Sequence, residues 1–261
     1  LGRDCPGYFI AVGNHIPPNV PVDNALYYLE LIDKRHRPWA CYLCGKRIKG
    51  KAAKDHVPPK QFFAKLARRK RSFRLRTLPT HPACNGAYSK DEEYFVATFA
   101  GFAMEESVAG RALWEQFERS VDRPESLQLV KKILSEFDTR PGGLILPFEK
   151  VVKRFDGERV GRVIWKIVRG LYFIETGDVL NQDRPRVIKL TLRPDEPPGE
   201  FRAIQQQPAK GQHAGAFDYR YGDFTDTHGV QVWALLFWDC IIATVSFLAP
   251  RSVDAESDSG S

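Results

Sequence analysis

The chain has 261 residues, 43% hydrophobic and 12% aromatic, with a formal net charge of +7 and a pI near 9.1. That apolar content excludes a largely disordered chain and supports at least one real core, and the length exceeds the usual single-domain size, so two units are expected. Five cysteines, three of them clustered, do not make a disulfide framework and point to a reducing, cytoplasmic setting.

The opening LGRDCPGYFIAV carries charge and proline and shows no signal-peptide pattern. Residues 1–40 read as a Pro-rich lead followed by a short helix, ALYYLELIDK, with Asp23 as its N-cap. Residues 41–103 hold a Cys/His segment and then a helix on which Tyr88, Phe95, Phe99 and Phe102 recur near multiples of 3.6 residues. Ser89 and Glu92 have the spacing of a capping box, so a restart or kink is expected there. Residues 104–140 continue as a helical extension, with Leu113 and Phe117, then Leu127, Val130, Leu134 and Phe137 beyond Pro124.

Pro141-Gly142-Gly143 ends the helical block and marks the expected domain boundary. Over residues 141–250, FEKVVKRF reads as a strand, GERVGRVIWKIVRGLYF as a helix, and PRVIKLTL and AFDYRYGDF as strands, giving an α+β unit with an antiparallel sheet. On the helix, Val160, Val163, Ile164, Ile167, Val168 and Leu171 point one way and Arg159, Arg162, Lys166 and Arg169 largely the other. That basic face reads as solvated, with a nucleic-acid contact as the alternative. The apolar run from Val232 to Ala249 reaches the lower length of a membrane span, but Asp239 near its middle and its aromatic and β-branched content favour two buried strands and no membrane partner. Residues 251–261 form an acidic, Ser-rich tail expected to be disordered.

Charge and chemistry converge on one segment. Between Gly45 and Arg76 there are thirteen Lys or Arg against a single acid, Asp55. Such a field attracts polyanions and releases their counterions, so nucleic acid is the expected partner; a solvated basic loop is the plainer reading. Cys41 and Cys44 form one CxxC pair, and His81 and Cys84 repeat its spacing after an interval of thirty-six residues. Thiolate and imidazole suit tetrahedral Zn2+, and a Cys3His set leaves no open position, so the ion would be structural. Between the pairs lies Asp55-His56-Val57-Pro58-Pro59, and Asn85 follows the last ligand. A neutral imidazole can take a proton from water, while a carboxylate and an amide oxygen suit a hard cation such as Mg2+ or Mn2+. That combination suits work on a phosphodiester.

CYLCG, DHVPP and HPACN together resemble the zinc-stapled branch of the HNH endonucleases, over about residues 41–100. The resemblance implies a ββα-metal finger, with a hairpin carrying the catalytic histidine and a helix beginning at the second knuckle. Carried over, His56 is the general base, and Asp55 and Asn85 hold the catalytic divalent ion. Cys41, Cys44, His81 and Cys84 are the structural zinc set. The expected architecture is therefore α+β: the finger, the helical extension and the C-terminal unit. The expected activity is metal-dependent hydrolysis of DNA by an endonuclease, in a setting such as restriction or defence. An RNA-directed nuclease and a non-catalytic zinc-dependent nucleic-acid-binding module are the alternatives, and the C-terminal unit is the candidate surface for a homodimer or a protein partner.

The sequence departs from the family pattern in three places. His81 stands where many members have Cys. The middle Asn falls near Arg76 or Thr77, which leaves the residue orienting His56 unassigned. An inserted, helical-looking stretch, QFFAKLARRKRSF, sets Phe62, Phe63 and Leu66 on one side and offers Lys65, Arg68, Arg69, Lys70 and Arg71 to backbone phosphates. Asp91 reads either as a further metal-side carboxylate or as an acid favouring a helix N-terminus.

Overall fold

A computed structural model describes residues 40–68, 75–147, 150–192, 198–211, 213 and 215–249. The expected lead helix before residue 40 and the acidic tail lie outside the described residues. The described chain opens on a tight turn in which the Gly45 amide donates to the Cys41 carbonyl at 2.8 Å and the Cys41 amide to Lys46 at 3.0 Å. Gly45 sits at φ 70°, a left-handed conformation that glycine adopts without a Cβ clash.

Strand β1 (Ala53–Val57) then pairs antiparallel with β2 (Arg76–Thr80), placing Asp55 opposite Leu78 and His56 opposite Thr77. The insertion between them is a 3-10 turn at Lys60–Phe62 and a one-turn helix, α1 (Lys65–Arg68), rather than one continuous helix. Its aromatic pair is why: Phe62 and Phe63 are drawn into the core and fix the backbone where a helix would carry them past it. Helix α2 (Pro82–Gly86) starts at the second knuckle, and α3 (Ser89–Ala103) follows after a break at Ala87 and Tyr88. The break lies where it was expected, but no side chain caps α3. Glu92 turns inward to bond Lys166 and Gln61 instead of the helix N-terminus.

Helices α4 (Val108–Val121) and α5 (Leu127–Ser135) form the extension. The helical face expected to reach Phe137 ends at Ser135, and Phe137–Asp138 is β3, paired with β4 (Val152–Lys153). The strand expected over FEKVVKRF thus shrinks to two described residues, with 148 and 149 outside the description. Helix α6 (Gly157–Thr176) starts where expected and runs past the expected end at Phe173. Its N-cap Asp156 accepts from the Arg159 amide at 3.2 Å, and Gly177 ends it in the left-handed region at φ 81°.

A four-stranded antiparallel sheet completes the chain: β5 (Arg186–Leu192), β6 (Phe217–Phe224), β7 (Val230–Phe237) and β8 (Ile241–Leu248), in the order β5-β8-β7-β6. The apolar run from Val232 is indeed two buried strands. Trp238 and Asp239, both at positive φ, make the turn between them, which explains a charge in the middle of an apolar stretch. Among the described residues no helix is long and apolar enough to cross a membrane.

One main core runs from Cys41 to Phe247, across the boundary expected at Pro141. Phe62 of the insertion stacks on Phe95 of α3, centroids 5.0 Å apart, and both meet Phe237 and Trp238. Trp238 Nε1 donates to the Phe62 carbonyl at 3.0 Å. The hairpin and the C-terminal sheet are therefore packed as one body.

Candidate metal centre and the histidine strand

The four knuckle residues converge. One ligand atom from each of Cys41, Cys44, His81 and Cys84 lies within 4.8 Å of the others. Ideal Zn–S and Zn–N bonds at tetrahedral angles put sulfur and nitrogen about 3.6 Å apart. His81 Nδ1 is 3.4 Å from Cys44 Sγ and 3.8 Å from Cys84 Sγ, bracketing that value. His81 Nε2 lies 3.3 Å from the Arg47 carbonyl. A proton on Nε2 satisfies that carbonyl and leaves the Nδ1 lone pair facing the sulfurs, as metal-bound histidines are commonly arranged.

The thiols fit the same ion. Burial raises the Cys41 pKa, but backbone amides of His81, Cys44 and Leu43 and the Cys44 side chain together bring it down to about 7. Cys84 is pushed up to about 12, by burial first and then by the neighbouring Cys41 and Cys44 sulfurs. Three crowded thiols of which one resists ionisation are what a Zn2+ ion would resolve, by supplying the charge that lets all three deprotonate. The residues present fit a structural zinc.

Beyond the knuckles, β1 sends adjacent side chains to opposite faces. Asp55 faces inward and is 4% exposed. Its Oδ2 accepts from the Tyr42 hydroxyl at 2.6 Å, and Lys166 Nζ stands 3.0 Å from Oδ1 and 2.8 Å from Oδ2. The same ammonium bonds Glu92, whose second carboxylate oxygen accepts from Gln61 at 2.8 Å. Burial, and then the neighbouring Asp55 charge, raises the Glu92 pKa against the opposing pull of Lys166. Both oxygens of Asp55, which the sequence suggested as a divalent-ion ligand, are thus engaged by protein donors.

The basic face of α6 is solvated only toward its start, where Arg162 is exposed and Arg159 half-buried. Lys166 and Arg169 are each 1% exposed. Arg169 donates to the Leu43 carbonyl within the first knuckle and to the Leu180 carbonyl at 3.0 Å. Arg159 bonds Asp91 at 2.7 Å, and Arg162 lies 2.9 Å from the other Asp91 oxygen, off the hydrogen-bond line. Asp91 is thus spent on α6. Gly170 allows the close approach, since a Cβ there would stand 2.6 Å from Val57 Cγ2.

His56, on the outer face, is half-buried, and among the described residues its ring makes no hydrogen bond. Burial, and then the positive charges of Lys60 and Arg68, lower its pKa, so the imidazole is neutral near pH 7. Thr77 stands across the strand pair from it. Asn85, half-buried on α2, also keeps its side-chain amide unbonded among the described residues. Lys65 is exposed, while its backbone amide donates to Gln116 on α4 at 2.6 Å. Arg68 is half-buried with Nε out of water and without a hydrogen-bond partner. Arg69, Lys70 and Arg71 lie outside the described residues.

Tyr42, Glu92, Lys166 and Arg169 were not foreseen as parts of this cluster. One signal was present: eight of the ten residues from Val163 to Tyr172 are non-polar, leaving no width for a solvated stripe around Lys166 and Arg169. Comparison with protein-family models, with curated proteins and with solved structures finds no match for this chain.

Proposed function

We propose that the chain is an endonuclease of the HNH type that hydrolyses phosphodiester bonds of DNA, with His56 as the general base. One observation carries the reading. A zinc-fitting hairpin holds a neutral, unengaged imidazole on the outer face of its first strand, and the helix that starts at the second knuckle offers the free amide of Asn85. In this reading His56 removes the proton from a water aimed at phosphorus, and Lys60 and Arg68 hold negative charge on the phosphate. The family's divalent ion would assist by polarising that phosphate. Asn85 offers a free donor for it and Asp55, bound to Lys166 and Tyr42, does not.

That closure of Asp55 favours a second reading, a zinc-dependent nucleic-acid-binding module without chemistry. Plasmid nicking by the zinc-loaded chain, with Mg2+ or Mn2+ and with His56→Ala as the paired control, separates the two. Nicking that disappears in the variant supports the nuclease. DNA binding without nicking, unchanged by His56→Ala, supports the module, and the same assay on RNA tests the choice of nucleic acid.

A further inference from the structure

Asp55 on β1 and Glu92 on α3 meet at a single cation carried in by a distant helix, the ammonium of Lys166. All three donors of that ammonium are within reach of carboxylate oxygens: Asp55 Oδ1, Asp55 Oδ2 and Glu92 Oε1. Tyr42 and Gln61 close the cluster from either side. Two carboxylates against one ammonium leave room for one more positive charge, and Asp55 and Lys166 are buried from water. The latch is also anchored along its helix, by Arg159 and Arg162 on Asp91 toward one end and by Arg169 on the Leu43 carbonyl toward the other.

The geometry points to Lys166 as an internal latch, whose ammonium lies between Asp55 and Glu92 and holds Asp55 closed to divalent cations. Its bearing on which residues could hold the catalytic ion rests on the nuclease reading; its binding behaviour does not. Removing the ammonium while keeping the stem turns the acidic pair into a cation site.

The test is Mn2+ titration of the full zinc-loaded chain by electron paramagnetic resonance, alongside thermal unfolding with and without Mn2+. Lys166→Met should bind Mn2+ about tenfold or more tightly than the parent and gain thermal stability with Mn2+ where the parent does not. Adding Asp55→Asn to Lys166→Met should erase both gains. A folded, zinc-loaded Lys166→Met chain with no gain in Mn2+ binding overturns the latch. Should that variant not fold, Lys166→Gln, which keeps both carboxylates and places a neutral polar head between them, takes its place, and absence of Mn2+-dependent stabilisation there overturns it equally. Nicking is scored separately. A gain in Mn2+ binding with no variant cutting DNA sinks the nuclease and leaves the latch. Cutting by the parent that needs His56, with no Mn2+ gain in Lys166→Met, does the reverse.

Discussion

The same hairpin is fastened in two places by different physics. At its base, the knuckles gather four ligands from two short segments, all within 4.8 Å of one another, with His81 at near-tetrahedral spacing from Cys44 and Cys84. Along its inner face, Asp55 is fastened instead by an ammonium 111 positions away, within a buried set of two carboxylates, a phenol and an amide. A zinc fastening at the knuckles would be local and complete once they have formed. The ionic one exists only after α6 has packed, and its Coulomb gain must first offset the desolvation of every member. A close-packed local site can therefore be lost by changing one ligand, whereas the ionic cluster tolerates loss of all its members better than loss of one.

The largest expected effect breaks the first fastening. Cys44→Ser should lower zinc content and remove most of the thermal stability of the hairpin, since apparent zinc affinities of such sites are worth about 10–16 kcal/mol against whole-domain stabilities of about 5–15 kcal/mol. A variant that keeps full metal content and an unchanged melt would end the structural-zinc reading. Next in size, Asp55→Asn removes two of the three carboxylate contacts of Lys166 but leaves it paired with Glu92, so a loss of about 1–3 kcal/mol is expected in urea unfolding while zinc content stays intact. No measurable loss would mean that the Lys166 cluster is not formed in solution.

Gly170→Ala tests how closely α6 must lie on β1. The added methyl meets Val57 inside contact distance, so a loss of about 1–3 kcal/mol is expected, and a neutral result would mean that the helix has room to shift. Smaller still, Arg162→Gln removes a partly exposed partner of Asp91 and should cost no more than about 1 kcal/mol, because solvent screens it and Arg159 keeps the primary bond.

The two faces of β1 also differ in how they respond to pH. Burial and nearby positive charge depress the His56 pKa below its ordinary 6.5, so the unfolded chain takes the proton first. Stability from this group is complete above the unfolded value and is lost as pH falls from 6.5 through the depressed folded value. Glu92 behaves oppositely. Its folded pKa is raised above 4.5, so its contribution is greatest below 4.5 and declines as pH rises through the folded value. Titration of the His56 ring protons by NMR should place its midpoint below 6.5, and Lys60→Gln should move it upward. A midpoint at or above 6.5 would remove the electrostatic account of the outer face.

Much of this could be read from residues alone. The CxxC and HxxC spacings fixed which four side chains would gather, because ligand spacing within a knuckle is a local property. Asp239 in an apolar run announced the β7–β8 turn, and the 3.6-residue pattern placed α6. What sequence could not supply was the partner of each charge. Arg159, Arg162, Lys166 and Arg169 form a stripe that water or DNA would satisfy equally well on paper. Only the packing of α6 against β1 and α3, allowed by the missing side chain at Gly170, brings the stripe onto Asp91, Glu92, Asp55 and the Leu43 carbonyl. The same packing decides that Asp55 and His56, neighbours in the chain, face different surroundings. Alternation along a strand guarantees opposite faces, but which face is dry depends on residues more than a hundred positions away.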